Sequence, residues 1–271
     1  MSISSKILVC YLFTKFDSTE DFKNFLKNYN AFKIGKEHSL IICCKLLDDV
    51  KKNFITNILI ESNIKFELFD DPSNNNDFDF GSYYRIAKKY SNCLIFYLNA
   101  SSKPMVNNWL NIIVKEYEEN SLIGTTASNE SHFSNIKLKK NYKIFSFIFK
   151  KLLNLIFFKS FPNPHIRTTG FLLNAKDYIN FYKNKKCQNK YDSWKIESGR
   201  DSLTNFFLKK KLPVKLVNSD GKSFKVNKWA YSNTYCYLEK SKLIISDKHT
   251  RKYEILSNNE KKLYQKNVWG I

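Results

Sequence analysis

Glu197, Arg200 and Asp201 crowd into the polar stretch Trp194 to Thr204, just ahead of a segment with helical spacing. A carboxylate aimed by a rigid helix behind it can take the proton from an attacking hydroxyl, which makes Asp201 and Glu197 the candidate general bases. Asp201 is equally well placed to cap that helix. His165 and Arg167 alternate along the strand-like run Pro162 to Phe171, so they share a face and can bind phosphate or an acceptor. The other reading of the pair is solubility on an edge strand. Asn99, Ser101 and Ser102 end the apolar run that starts at Cys93. Their amide and hydroxyl oxygens are hard but uncharged, so a divalent cation there would be held weakly, and Arg85 and Lys103 offer positive charge in its place. Ser101 or Ser102 can also cap a helix with Pro104 in its first turn. Asp70 and Asp71 close another apolar run, where a carboxylate can accept hydrogen bonds from a ribose or nucleobase, or simply end a strand before Pro72.

These residues need elements to hold them, and the first half of the chain supplies a regular alternation. Ile7–Phe13, Leu40–Lys45, Ile64–Phe69, Cys93–Asn99 and Leu122–Thr126 read as strands. Between them Phe22, Phe25, Leu26 and Tyr29 recur at helical spacing, as do Phe54, Ile55, Ile58 and Leu59, then Tyr83, Ile86, Ala87 and Tyr90, then Trp109, Ile113 and Tyr117. That alternation predicts a parallel sheet with crossover helices, and open sheets of this kind assemble ligand sites beyond the C-terminal ends of their strands. The run Asp79-Phe80-Gly81-Ser82-Tyr83 opens one of the helices. The second half is less regular: His165–Leu173 reads as a strand, Ser202–Lys211 as a helix and Pro213–Val217 as a strand. Ser219-Asp220-Gly221 reads as a hairpin turn into Ser223–Val226. Residues 143–160 are rich in Phe and Leu, with Lys150, Lys151 and Asn154 on one side of a helical wheel. Such a helix can lie in an anionic membrane interface, pack on the sheet or form a dimer contact.

Composition narrows the partners. Lys and Arg number 45 against 25 Asp and Glu, a formal charge of +20, which favours anionic partners such as nucleotides, nucleic acid or acidic lipid. Part of that excess follows a residue usage heavy in Lys, Asn, Ile, Phe and Tyr. The six cysteines show neither C-x-x-C spacing nor the density of a disulfide scaffold, so a reduced, cytoplasmic protein is expected. Met1–Tyr11 lacks the pattern of a secretory leader, and no run of about eighteen uncharged apolar residues predicts a spanning helix. Four scattered histidines without an H-x-x-x-H pattern argue against zinc. No P-loop, dinucleotide fingerprint or nucleophile elbow is present, and the aromatics do not cluster as a platform for single-stranded nucleic acid.

The succession of acidic turn at Asp70-Asp71, Asp79-Phe80-Gly81-Ser82-Tyr83 helix, Leu98-Asn99-Ala100-Ser101 strand end, Pro164-His165-Ile166-Arg167-Thr168 strand and Glu197-to-Thr204 loop-helix resembles GT-A-fold glycosyltransferases. It looks closest to the rhamnan-synthesis-type and family-2-like enzymes of bacterial surface polysaccharides, over roughly residues 6 to 217. The resemblance implies an α/β, GT-A-like (Rossmann-like), mostly parallel sheet flanked by helices, with a C-terminal β-hairpin elaboration. One domain would span 1–271, with a nucleotide-sugar-binding half (1–127), an acceptor and catalytic half (128–217) and a C-terminal hairpin and tail (218–271). It implies transfer of a sugar, with inversion, from a nucleotide-sugar donor to a glycan or lipid-linked acceptor. Asp70, Asp71, Asp79, Arg85, Asn99, Ser101 and Lys103 would bind the donor, Asp201 or Glu197 would be the base, and His165, Arg167 and Arg200 would meet acceptor or phosphate. Asn99 and Ser101 stand where the family's D-x-D carboxylates hold Mn²⁺ or Mg²⁺. The expected location is cytoplasmic, peripheral on the membrane through residues 143–160. A non-catalytic relative that binds nucleotide sugars or glycans is the alternative. A nucleic-acid-binding protein has only the charge in its favour.

Overall fold

In the computed structural model, residues 6–135 and 144–271 are described, so the first five residues and Lys143 lie outside the described residues. The chain opens with β1 (Ile7–Thr14), α1 (Thr19–Ala31), β2 (Ser39–Lys45), α2 (Asp49–Glu61) and β3 (Phe66–Asp70). There follow α3 (Phe78–Lys89), β4 (Leu94–Leu98), β5 (Lys103–Pro104), α4 (Trp109–Lys115), β6 (Leu122–Gly124) and β7 (Ala127–Ser128). Then come α5 (Ile144–Phe157), β8 (His165–Ile166), β9 (Gly170–Asn174), α6 (Ala175–Tyr182), α7 (Lys190–Ser198) and α8 (Leu203–Lys209). The chain ends with β10 (Val214–Val217), β11 (Ser223–Lys225), a 3₁₀ turn at Val226–Tyr231, β12 (Ile245–Ser246), α9 (Lys248–Glu254) and α10 (Asn258–Trp269).

Among the described residues eight strands form one mixed, mostly parallel sheet in the order β11-β10-β6-β9-β4-β1-β2-β3. This is the GT-A-like architecture expected from the sequence. Helices cover both faces, so β1 and β4 are buried throughout and read as continuous apolar runs. Their side chains still alternate. Leu8, Cys10 and Leu12 join the core beneath α3, α6 and α8, whereas Val9, Tyr11 and Phe13 join Phe22 and Phe25 of α1 and Ile55 of α2 on the other face. All six cysteines are buried and unpaired within this packing. The hairpin of β10 and β11 turns at Asn218–Lys222, where Gly221 has φ +73° and Asn218 Oδ1 accepts from the backbone N–H groups of Asp220 and Lys222.

Two expectations need correcting. His165–Leu173 is not one strand: β8 pairs antiparallel with β7, the chain breaks at Arg167–Thr169, and β9 inserts antiparallel between β4 and β6. Nor do Ser101 and Ser102 cap a helix. Lys103 and Pro104 form β5 against β12, and α4 starts only at Trp109, after Asn108 in the left-handed region.

Gly81 and Ser82 of the Asp79–Tyr83 run take part in a buried charge network. Lys45, fully buried, donates to Asp77 and to the Phe78 carbonyl. Arg85 forks onto Asp77 (2.6 Å) and Asp71, and Asp71 also accepts from Ser82. Burial works against charge on Asp77, yet Arg85 and Lys45 hold its carboxyl below the usual range. Gly81 makes the arrangement possible, because a Cβ there would lie 1.8 Å from Asp77 Oδ2. Gly81→Ala is therefore expected to push Asp77 off its two cations and destabilise the fold by about 3 kcal/mol. A denaturant midpoint unchanged from the native chain would show that the network can shift without loss.

Candidate active site

β1 is flanked by β2 on one side and β4 on the other, so the chain's direction of travel through the sheet reverses between β1 and β4. Crevices open beyond the C-terminal ends of strands at such a point. A cleft of about 860 Å³ lies there. Thr14 and Asp17 after β1 and Asn99–Ser101 after β4 form its floor, and Asp79 of α3 forms one side. Glu130 and His132 after β7, His165 and Arg167, and Lys190, Trp194 and Glu197 of α7 form the opposite wall. The C-terminal region closes the cleft with Tyr235, Asp247, Lys248, His249 and Tyr264.

Arg167 is held with care. Its guanidinium lies 3.8 Å from the centroid of the Tyr235 ring and 3.6 Å from Asp247, while Nη1 has no hydrogen-bond partner among the described residues. Burial opposes its charge, but Tyr235, Asp247 and Glu197 together keep it firmly cationic. Asp247 is buried too: it accepts from Thr169 Oγ1 (2.7 Å) and caps α9 through the His249 and Thr250 N–H groups. Opposed by burial, its carboxyl is nonetheless held low by Arg167. Glu197, in the last turn of α7, accepts from Thr168 N–H at 3.3 Å and leaves its second carboxylate oxygen to the cleft. Burial lowers His165, and Glu197 partly restores it. His165 Nδ1 faces the Asn163 carbonyl at 2.9 Å; a carbonyl only accepts, so Nδ1 carries the hydrogen and Nε2 is left as an acceptor. His132 stacks on Trp194, ring centroids 4.6 Å apart, and is lowered by burial and by His165.

Of the residues expected from the sequence, Glu197, His165, Arg167, Asp79, Asn99 and Ser101 meet in this cleft. The others do not line it. Asp201 is 75% exposed and paired with Lys209, and Ser202, not Asp201, caps α8. Arg200 reaches the Leu155 carbonyl. Asp70 is 60% exposed against Lys52, Asp71 and Arg85 are consumed by each other, and Lys103 belongs to β5. Asp17, Glu130, His132, Tyr235, Asp247 and His249 were missed. Asp247 left one trace, the Asp-x-x-Thr capping pattern opening α9.

The Asn99–Ser102 turn does not fit a divalent cation. Asn99 Oδ1 already accepts from Ser101 N (3.0 Å) and Ser101 Oγ (3.1 Å), and it shares the single Ser102 hydroxyl hydrogen (2.9 Å) with the Thr169 carbonyl. A positive charge stands beside Ser101 instead: Arg251 Nη1 donates to its carbonyl at 3.0 Å, and the backbone N–H of Lys248 donates to its hydroxyl at 3.3 Å. A metal needs anionic oxygens at that position and finds a turn closed on itself beside a guanidinium. Among the described residues no group of three or more His, Cys, Asp or Glu is arranged to hold a metal ion.

Burial and the neighbouring Asp17 push Asp79 up to about 6. The folded chain therefore holds this proton more tightly than the unfolded chain, and stability falls as pH rises from about 4 through 6. Asp79→Asn is expected to be about 1–2 kcal/mol more stable than the native chain at pH 7.5, a figure reduced for the residue's partial exposure, and indistinguishable from it at pH 4. Equal denaturation midpoints at pH 7.5 would contradict this.

No protein-family model matches the sequence, and no characterised protein matches it in sequence. Among solved structures the fold is similar to that of the galactosyltransferase LgtC in complex with donor and acceptor sugar analogues. The likeness has a TM-score of 0.44 at 11% identity and covers 78% of this chain and 73% of that one. The mannosyltransferase PcManGT from Pyrobaculum calidifontis, in complex with GDP-Man and Mn²⁺, gives 0.44 at 6% identity over 70% of this chain and 51% of its own. The bifunctional glycosyltransferase WbbM gives 0.43 at 11% identity over 72% and 38%. The chain thus spans about half or less of the last two.

Proposed function

We propose that this chain transfers a sugar from a nucleotide-linked donor to a hydroxyl of a glycan or lipid-linked acceptor, with inversion, in the building of surface polysaccharide. The proposal rests on the meeting of the Glu197 carboxylate and the Arg167 guanidinium, with its unpartnered Nη1, in one cleft at the β1/β4 switch point. The resemblance carried by the Asp79–Tyr83 helix and the Leu98–Ser101 strand end supports the same chemistry. Glu197 takes the acceptor proton as the acceptor oxygen bonds to the anomeric carbon. The bond from that carbon to the diphosphate oxygen breaks, and the diphosphate leaves with the electron pair. Arg167, fixed before the reaction begins, attracts the charge that develops on it, the work a metal does elsewhere. His165 Nε2 and the Trp194 face border the acceptor side.

The test is a thermal-shift screen of the full chain against UDP-, GDP-, dTDP- and CMP-sugars, each with Mn²⁺ or with EDTA. A donor at about 100 times its Kd adds about 2.7 kcal/mol to the native state, a shift of several degrees. One nucleotide class should stabilise the protein equally in EDTA and in Mn²⁺. Folded protein that responds to none of the four would remove the reading, and a shift that needs Mn²⁺ would restore a metal to the strand end.

A further inference from the structure

Helix α5 is amphipathic the wrong way round. Its polar Asn154 faces the protein, donating to the His132 carbonyl at 3.2 Å and accepting from Tyr191 OH at 2.8 Å, and Phe158 just beyond the helix is fully buried against His132. Its large apolar side chains face outward: Phe149 and Ile156 are each 63% exposed, Leu152 56%, and Ile148 and Leu155 nearly half. At 100° per residue these five fill a continuous arc of about 120°, bordered on one side by Lys151. A surface helix of a water-exposed protein presents the opposite pattern. An apolar face of this size, a few hundred Å², marks a contact with something apolar.

We propose that α5 docks on an anionic phospholipid bilayer, its five apolar side chains entering the interface and Lys151 at their edge meeting the headgroups. Charge selects this occupant. The chain carries +20 overall, and Arg200, bonded to the Leu155 carbonyl, adds a further cation beside the helix. A second copy of the chain is disfavoured, because a two-fold contact through this arc brings the Lys151 side chains of the two copies together. The helix lies in the interface and does not span: no described helix is long and apolar enough to cross a membrane. Asn154 ties it to His132 of the cleft wall, so a docked α5 holds the cleft beside the lipid surface.

Flotation of the full chain with vesicles tests this without any sugar donor, so the outcome is independent of the proposed transfer reaction. Vesicles of phosphatidylcholine with phosphatidylglycerol should carry the protein up the gradient, and phosphatidylcholine alone should not. The reversal Lys151→Glu, a change of two charges, should weaken binding about thirtyfold. The double variant Leu152→Glu/Ile156→Glu should abolish it with an unchanged melting temperature, since both side chains already face water. Flotation that survives the double variant, or absence of flotation by the native chain, would overturn the proposal. So would a stable dimer in sedimentation that the same double variant dissociates, which would assign the face to a second copy.

Discussion

Glu197→Gln is expected to lower the rate of sugar transfer by about two to four decades with little change in melting temperature. Glutamine keeps the length of the side chain and the oxygen that accepts from Thr168 N–H, so the cleft wall stays in place; only the ability to take a proton is lost. Glu197 suits the task because it lines the cleft together with Asp79, His165, Arg167 and His249, which stand on different elements. Asp201→Asn provides the contrast. Its carboxylate is exposed and bound only to Lys209, and exposed pairs are worth about 0–1 kcal/mol, so transfer should stay near the native rate. Single-turnover rates with whichever donor stabilises the protein decide the matter. A large loss in Asp201→Asn, or none in Glu197→Gln, would move the base elsewhere, with His165 Nε2 next in line.

Arg167→Lys is expected to cost about two to three decades in transfer rate and to weaken binding of the nucleoside diphosphate far more than that of the free nucleoside. The charge is retained, which keeps Asp247 from being left buried beside a neutral group. What is lost is the planar fork: a lysine cannot lie flat on Tyr235 and still offer several nitrogens in one plane. Calorimetric titration of nucleoside, monophosphate and diphosphate separates this from a merely structural part. A structural role would weaken all three alike, and that result would remove Arg167 from the leaving-group site.

Residues close together in sequence declared the scaffold. The alternation of apolar runs with helical stripes up to Leu122 follows from periods of 2 and 3.6, which are set by local backbone geometry, and the strands and helices appear where that pattern puts them. The hairpin turn at Asn218–Lys222 is likewise a matter of adjacent residues. The site is another matter. Glu197 and Asp201 are four residues apart and chemically alike. Only the end of α7 at Ser198 and the capping of α8 by Ser202 direct one into the cleft and leave the other in water. Asp71 and Arg85 carry the charges a ligand site needs, yet their contact across 14 residues turns both into structure. Tyr235, Asp247 and His249 lie beyond the part of the chain that resembles known enzymes, and they reach the cleft through the pairing of β12 with β5, a contact about 140 residues long in sequence. The sequence by itself determined the layers and the polar end of β4. Which charges face a ligand and which neutralise one another was decided by tertiary structure, because the energy of a charge depends on its burial and its neighbours, and those are set by long-range packing.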